Sequence, residues 1–241
     1  MSSPMIQRHT NTGIFMHWFN AGCWLFLLAT GLGLLQNPDL QPLGAWYPGL
    51  LRAVFGGGDG LLGAHIAVAL LWLAVWAGYY LRFAGRYAVP FLVSIFTLDP
   101  RRDLQWIVKK NFQMTLGYKM MARLVRPLGW DGRLPEQEYY NAGQKLAAQV
   151  MVLGSLVLAV SGLILAASSW IIDTPNVPWV QWSITIHYLA AGLTFAIVLV
   201  HIYMAAIAKE ERPALWSMFN GQVPAAYAEH HHKLWYDKLS K

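Results

Sequence analysis

The chain has 241 residues, of which 56% are hydrophobic and only 12% are charged. Soluble domains usually contain about 25% charged residues, so this composition indicates an integral membrane protein. The formal net charge of +6 does not indicate nucleic-acid binding, because the Lys and Arg residues are distributed by membrane side rather than on one helix face. The single cysteine, Cys23, excludes an internal disulfide, C-x-x-C-H haem attachment and an iron–sulfur cluster held by this chain alone.

Four apolar stretches are long enough to cross a hydrocarbon core about 30 Å thick. We predict an all-α, four-transmembrane-helix bundle that forms a single membrane domain over 1–241, with spans at about 14–35, 61–83, 145–168 and 183–208. The first stretch lacks the layout of a signal peptide, so we expect it to stay as a helix. Gly154 and Ser161-Gly162 are expected to be close-packing points in the third span.

The polar segment 84–144 separates the second span from the third. Its apolar run at 90–98 is too short to span, so we expect membrane-surface helices in this loop and in the tail 210–241. The alternative is a separate soluble domain, whose core would be marginal because aliphatic residues are few. A short loop is expected at 169–181.

The basic residues predict the orientation of the spans. All but one of the 18 Lys and Arg residues lie in the N-terminal segment, in the second loop with its flanks, or in the tail, and the exception is Arg52. The positive-inside rule therefore places both termini and the loop 84–144 in the cytoplasm.

Four histidines lie within these predicted spans: His17, His65, His187 and His201. His187 and His201 are 14 residues apart on one helix, which puts them on nearly the same face and about 21 Å apart along the axis. The orientation places His17 and His201 at the inner side and His65 and His187 at the outer side. Each pair could supply two axial imidazoles, so we predict a di-haem cytochrome b with haem in a non-covalent, b-type form.

The alternative for any one of these histidines is a hydrogen bond to a neighbouring helix. His9 and the run His230-His231-His232 lie in polar flanks, where we expect solvated surface side chains. Asn20 and Gln149 are candidates for cofactor contact or for hydrogen bonds between helices. Trp72 and Trp76 are expected to face lipid or pack.

The sequence resembles the gamma subunit of respiratory formate dehydrogenase, a four-helix cytochrome b, over nearly its whole length. The motifs that carry the resemblance are M-H-W at 16–18, His65, Y-N-A-G-Q-K at 140–145, I-H-Y-L-A-A-G at 186–192, H-I-Y-M-A at 201–205, G-Q-V at 221–223 and H-H-K-L-W-Y at 231–236. Y-N-A-G-Q-K at 140–145 best distinguishes this family from related cytochromes, which share the histidine layout. The predicted cytoplasmic loop is longer than the compact loop typical of the family.

The resemblance implies a complex in the bacterial inner membrane that serves anaerobic respiration. A molybdopterin or tungstopterin alpha subunit would oxidise formate, and an iron–sulfur beta subunit would pass electrons to this chain. They would cross two b haems, the outer at His65/His187 and the inner at His17/His201, and reduce menaquinone or ubiquinone on the cytoplasmic side. The implied quinone site is Asn141, Gly143, Gln144 and His201, and a higher oligomer is consistent with the family.

Three other functions stay open at this point. The chain could be the cytochrome b of a membrane-bound hydrogenase or of another molybdoenzyme, since those share the histidine layout. It could be a haem-free membrane anchor, which would have no Soret band. A transporter is disfavoured, because the sequence has neither an inverted repeat nor a pair of broken helices. The alternative for Asn141-Ala142-Gly143 is a helix entry turn.

Overall fold

A computed structural model describes residues 3–171 and 177–239, except for the side chains of 169–171. Four helices in this part of the chain are long and apolar enough to cross a membrane, namely Asn11–Leu34, Gly58–Phe96, Ala142–Ser168 and Pro178–Ile207. The prediction of an all-α membrane bundle with four spans is confirmed. The loop predicted at 169–181 lies partly outside the described residues.

Helices account for most of the described chain. The α-helices are α1 (Asn11–Leu34), α2 (Trp46–Val54), α3 (Gly58–Phe83), α4 (Val89–Phe96), α5 (Pro100–Leu116), α6 (Tyr118–Val125), α7 (Ala142–Ile171), α8 (Pro178–Ile202), α9 (Arg212–Asn220), α10 (Ala225–His231) and α11 (Lys233–Leu239). The π-helices are Ala84–Ala88 and Tyr203–Ile207, and the 3₁₀ helices are Arg126–Leu128 and Lys209–Glu211. The strands are β1 (Met5–Gln7) and β2 (Gln222–Pro224). Helices therefore occupy both the predicted surface loop and the tail.

The second span is longer than predicted. The prediction ended it at residue 83, whereas the helix continues through the π-helix Ala84–Ala88 and α4 as far as Phe96. Proline lacks the N–H that an α-helix interior needs, but Pro90 occupies the first turn of α4, just after the π-helix, where that N–H is not required. The boundary of the predicted loop at 84 is therefore wrong.

The chain divides into two compact units, and one of them comprises Thr10–Ala84 and Leu153–Ala196. Within it α1 packs against α3. The Asn20 side-chain oxygen on α1 accepts hydrogen bonds from the indole N–H groups of Trp72, at 2.6 Å, and Trp76, at 3.2 Å. The interhelical alternative for Asn20 is therefore the one observed. A side chain at Gly154 would lie 2.4 Å from the hydroxyl oxygen of Thr194, so the predicted close packing at Gly154 is confirmed.

The other unit comprises the residues up to His9, Gly85–Val152 and the residues from Ile197 onward. Its N-terminal strand β1 pairs antiparallel with β2 from the tail, with Ile6 opposite Val223. Val223 is fully buried and packs with Tyr227 and Ala228. These strands could not be predicted from the sequence, because each has only three residues and its partner is distant in the sequence.

A buried arginine joins three segments of this unit. The Arg8 guanidinium donates a 2.9 Å hydrogen bond to the Tyr139 carbonyl, and the Tyr139 hydroxyl donates a 2.6 Å bond to the Arg8 carbonyl. The guanidinium also lies over the rings of Tyr139 and Trp235, 5.0 Å and 5.5 Å from their centres. Cation–π contacts of this kind gain strength when water is excluded, so Arg8 holds the N-terminus and the tail against the segment before α7.

Lys145 fixes the start of α7 to α5. Its ammonium lies 3.1 Å from a carboxylate oxygen of Asp103 and donates a 2.9 Å hydrogen bond to the Thr97 carbonyl. Both side chains of the ion pair are at most 5% exposed. One turn later, Gln149 donates to the Ile95 carbonyl at 2.6 Å, which again is a contact between helices rather than with a cofactor.

His232 in the tail is fully buried, so the expectation of a solvated side chain is wrong for this member of the histidine run. Its Nδ1 lies 2.8 Å from the Glu138 carbonyl oxygen, which can only accept, so Nδ1 carries the proton. Burial and the neighbouring Arg8 charge lower the pKa of His232 to about 3. The folded tail therefore contains a neutral imidazole at neutral pH.

Acid should loosen the tail through His232. A histidine with a folded pKa below its unfolded value of about 6.5 destabilises the fold as pH falls through that value, by about 1.4 kcal/mol per pH unit until the folded pKa is reached. Hydrogen exchange of residues 225–239, corrected for intrinsic rates, should show a loss of about 2 kcal/mol of protection between pH 6.5 and pH 5. His232→Gln, which can still donate to Glu138, should reduce this loss, whereas His230→Gln at an exposed position should not. Equal acid sensitivity in both variants would contradict the assignment.

Candidate cofactor site

Two predicted ligands meet between α3 and α8. The imidazole rings of His65 and His187 have their centres 6.5 Å apart and their planes at 67°. A metal–imidazole bond is about 2.0–2.1 Å and a ring centre lies roughly 1.1 Å beyond the nitrogen, so two imidazoles on opposite sides of one ion have centres about 6.3 Å apart. The observed separation therefore suits a single metal ion between the two rings.

A threonine on α1 orients the first ring. The Thr30 hydroxyl lies 2.8 Å from Nδ1 of His65 and 2.8 Å from the Phe26 carbonyl oxygen. Its single proton goes to the carbonyl, which cannot donate, so the hydroxyl oxygen accepts from Nδ1–H of His65. Nε2 then carries the lone pair that a metal requires.

A serine on α7 repeats this arrangement at the second ring. The Ser161 hydroxyl donates to the Val157 carbonyl at 2.7 Å and lies 2.9 Å from Nδ1 of His187. By the same argument Nδ1 of His187 carries the proton, and Nε2 is the free ligand atom. Both rings are therefore held in the tautomer that suits metal ligation.

A glycine lies beside each ring, and the one beside His187 leaves little space to spare. A Cβ at Gly31 would lie 3.5 Å from Cε1 of His65, and one at Gly162 would lie 3.2 Å from Cε1 of His187. The second distance is tighter than most real contacts, so a side chain at position 162 would press on the His187 ring. The predicted close packing at Ser161-Gly162 is confirmed, and its partner is the side chain of His187 on α8.

Sequence reasoning missed Thr30 and the hydrogen bond of Ser161. The available signal was a hydroxyl residue followed by glycine, which occurs as Thr30-Gly31 in the first span and Ser161-Gly162 in the third. Each dipeptide belongs to the helix that faces a span with a candidate histidine. The periodicity of apolar residues could not reveal which faces meet.

The other two candidate ligands lie in different units. His17 is in the second turn of α1, where its ring makes an edge contact with Trp18 at 5.2 Å between centres. His201 is in the last turn of α8. Since each unit is described by itself, the pairing of His17 with His201 stays a prediction.

Three of the predicted quinone residues, Asn141, Gly143 and Gln144, lie at the entry turn of α7, whereas the fourth, His201, is in the last turn of α8. The Asn141 side-chain oxygen accepts from the Gln144 backbone N–H at 2.9 Å, and the Gln144 side-chain oxygen accepts from the Asn141 backbone N–H at 3.1 Å. This reciprocal pair is a capping box, so the entry-turn alternative is observed. The cap uses the two side-chain oxygens and leaves both NH₂ groups as potential donors.

Gly143 and Asn141 also shape the surroundings of this turn. A Cβ at Gly143 would lie 3.0 Å from the Trp106 indole, so glycine permits the ring to approach the helix. Asn141 lines a cavity of about 340 Å³ together with Trp106, Gln137, Glu211 and His231. The turn therefore borders a space with polar walls.

The fold and the facing rings define a class of protein. Four apolar helices make the chain an integral membrane protein, and two imidazole rings lie at the spacing of metal ligands. Among the described side chains no group of three or more His, Cys, Asp or Glu residues is arranged to hold a bare metal ion. Two imidazoles fit a cofactor that brings its own equatorial ligands, as a haem does.

The comparison with protein families agrees with that class. Residues 8–221 match the family model described as prokaryotic cytochrome b561, and the chain belongs to this family. Cytochromes b hold haem without a covalent link, so the donor set at His65 and His187 fits the cofactor of the family.

Curated relatives specify the resemblance further. The chain is 31% identical over 241 residues to the cytochrome b556(Fdn) subunit of the nitrate-inducible formate dehydrogenase of Escherichia coli K12, covering 99% of this chain and 94% of the relative. It is 31% identical over 238 residues to the formate dehydrogenase cytochrome b556 subunit of Haemophilus influenzae, covering 98% and 85%. It is 24% identical over 239 residues to the cytochrome b556(fdo) subunit of the formate dehydrogenase of Escherichia coli K12, covering 98% and 94%. The resemblance to formate dehydrogenase cytochrome b subunits is confirmed.

The space at Gly162 provides a test of the site. Gly162→Val should displace the His187 ring, because the added carbons would overlap Cε1, and should lower the haem content of the purified protein at least twofold. Gly49→Val, in α2 with nothing within 4 Å of the added Cβ, is the matched control and should keep the wild-type content. Absorbance at the Soret band relative to protein measures both. Wild-type haem content in Gly162→Val would show that the His187 position is not needed.

Proposed function

We propose that this chain is the membrane cytochrome b subunit of a formate dehydrogenase complex. In this role it carries electrons from an iron–sulfur subunit through two b haems to quinone at the cytoplasmic side. The observation that supports the proposal most strongly is the His65–His187 pair, held at 6.5 Å in the ligand tautomer. The names of the relatives favour formate dehydrogenase over a hydrogenase, and a pair built for a metal ligand disfavours a haem-free anchor.

His65 and His187 would be the axial ligands of the outer haem, and His17 and His201 those of the inner haem. Bound haem supplies one-electron oxidation and reduction, and two imidazoles leave its iron without an open position, which favours electron transfer over oxygen chemistry. The chain contributes the spacing and tautomer of the ligands. It also contributes apolar helices that keep water away from them.

The proposed setting is the bacterial inner membrane with both termini in the cytoplasm. The strongly uneven distribution of Lys and Arg supports this orientation. The partners would be an iron–sulfur beta subunit on the outer side and an alpha subunit with molybdopterin or tungstopterin. Formate oxidation to carbon dioxide releases two electrons and one proton on the alpha subunit, and this chain would receive only the electrons.

The proposed quinone site consists of Asn141, Gly143, Gln144 and His201. The capping box supports it, because the oxygens of Asn141 and Gln144 are used within the turn while their NH₂ groups can donate to a quinone carbonyl. The cavity beside Asn141 provides space. One role does not displace the other, since the cap orients the same amides that would bind the ligand.

Quinone reduction consumes two electrons and two protons for each quinol formed. The cavity beside Asn141 has proton-exchanging groups in its wall, among them Glu210, Glu211, His230 and His231. Burial lowers the pKa of His231, although the neighbouring Glu211 carboxylate opposes that shift. These groups could take protons from cytoplasmic water, and inward transfer of electrons would then contribute to the membrane potential.

Ligand variants test the pairing. His187→Ala and His65→Ala should each remove the same haem, and His201→Ala and His17→Ala should each remove the other, because bis-imidazole ligation fails when one ligand is lost. Redox titration of the haem absorbance in membranes should show one of two transitions missing. His201→Ala should also abolish quinone reduction while formate oxidation with an artificial acceptor continues. If the two variants of one histidine pair lost different haems, the assignment of that pair would be contradicted.

Asn141 variants separate the cap from the quinone site. Asn141→Ala removes both the capping oxygen and the NH₂ group, whereas Asn141→Ser keeps a capping oxygen and removes only NH₂. Both should weaken binding of a quinone-site inhibitor about five- to tenfold, the value of one hydrogen bond, with haem spectra unchanged. Only Asn141→Ala should also cost about 1 kcal/mol of stability. Wild-type inhibitor binding in Asn141→Ser would assign the residue to capping alone.

A further inference from the structure

Two helices of the same unit carry the same local device. On α1 a hydroxyl followed by glycine, Thr30-Gly31, faces His65, and on α7 the dipeptide Ser161-Gly162 faces His187. In each case the hydroxyl is bonded both to Nδ1 of the ring and to the carbonyl four residues earlier. One such contact could arise from packing alone. Because the same contact occurs at both rings of the pair, the two hydroxyls are expected to have the same role.

We propose that Thr30 and Ser161 are positioning residues that set how strongly His65 and His187 donate electrons to a bound iron, and thereby its reduction potential. This inference rests on the proposed function in one respect, namely that the two histidines are axial ligands of one haem. Neither hydroxyl would touch the cofactor. Each acts through the imidazole to which it is bonded.

The direction of the hydrogen bonds gives the mechanism. Donation from Nδ1–H to an oxygen moves electron density towards Nε2 and raises its basicity as a ligand. The hydroxyl is polarised in the same direction, because its own proton is donated to a backbone carbonyl. Since a hydroxyl is neutral, it strengthens the imidazole less than a carboxylate would, so the ring stays neutral. A more basic ligand stabilises ferric over ferrous iron and lowers the potential.

Burial makes the hydroxyls hard to replace. Thr30 is 2% exposed and Ser161 is 4% exposed, so bulk water does not reach either Nδ1 to substitute for a lost oxygen. The backbone carbonyl to which each hydroxyl donates already accepts a backbone N–H of its own helix, so it is not free to bond the ring instead. Removing a hydroxyl would therefore leave a buried Nδ1–H without its partner, and that imidazole would donate less strongly to the iron.

Loss of one hydroxyl should make the haem easier to reduce. A neutral hydrogen bond changes an equilibrium by roughly threefold to tenfold. For a one-electron couple that corresponds to a positive shift of about 28 to 59 mV. Because Thr30 and Ser161 act on different rings, the two shifts should add. The haem assigned to His17 and His201 should keep its potential, since the two hydroxyls are bonded to the rings of His65 and His187.

The experiment is a potentiometric titration of the haem absorbance of the purified full chain, with haem per polypeptide measured on the same samples. The variants are Thr30→Val, which preserves the shape and removes the hydroxyl, and Ser161→Ala, which removes a single oxygen and carries the test if Thr30→Val does not accumulate. Thr30→Ser restores the hydroxyl. Thr185→Val is the matched control, because the Thr185 hydroxyl on α8 is exposed and bonds only the Gln181 carbonyl among the bonds described.

The expected result is that Thr30→Val and Ser161→Ala each shift one transition to a more positive potential by the stated amount at wild-type haem content. Thr30→Ser and Thr185→Val should follow the wild-type curve. Superimposable curves for all variants, at full haem content, would overturn the inference and leave the proposed function standing. A wild-type chain without haem would instead overturn the proposed function. Ferric low-spin electron paramagnetic resonance, which responds to ligand strength, gives a second readout.

Discussion

An imidazole among apolar helices must have both of its ring nitrogens satisfied, since an unpaired buried polar group is costly. At His65 and His187 one nitrogen is satisfied by a hydroxyl from a neighbouring helix. The two ring centres lie 6.5 Å apart, the distance expected for two ligands of one metal ion. The local features of this unit suit that arrangement: Gly162 leaves space for the His187 ring, and the hydroxyls donate their own protons to the carbonyl of the preceding helical turn.

Several buried polar groups of the second unit make contacts within the protein, while Nε2 of His232 and two guanidinium nitrogens of Arg8 have no hydrogen bond among those described. Arg8 is bonded to the Tyr139 carbonyl and lies against two aromatic rings, Lys145 pairs with Asp103, and His232 donates to Glu138. These contacts join segments that are far apart in the sequence around the start of α7. The capping box of Asn141 and Gln144 lies in the same place. The proposed quinone site is therefore supported by a rigid polar framework rather than by a loose loop.

Much of the fold could be predicted from the sequence, and the exceptions have physical reasons. Hydropathy located all four spans because the apolar windows are long. It placed the start of α1 three residues late because Asn11 and Thr12, which open the helix, are polar. It ended the second span early because Arg82, Gly85 and Arg86 interrupt the apolar run, whereas the helix continues past them through a π turn. The pairing of β1 with β2 depends on contacts that no local pattern records.

The meeting of His65 with His187 could be predicted from the sequence, but the surroundings of the two rings could not. The depth of His65 and His187 in their spans was sufficient to pair them, and the structure brings their rings together. Thr30 and Ser161 were not recognised as partners, because a hydroxyl in an apolar helix usually bonds only to its own backbone. The depth argument makes the same prediction for His17 and His201.

The central claim is that paired histidines at two depths hold two haems in one chain. The most direct measurement is pyridine haemochrome quantification of non-covalent haem b per polypeptide in the purified full-length chain, with a reduced-minus-oxidised spectrum of the same sample. Two haems b per chain are expected. One haem per chain, or none in a folded sample supplied with haem, would contradict the account.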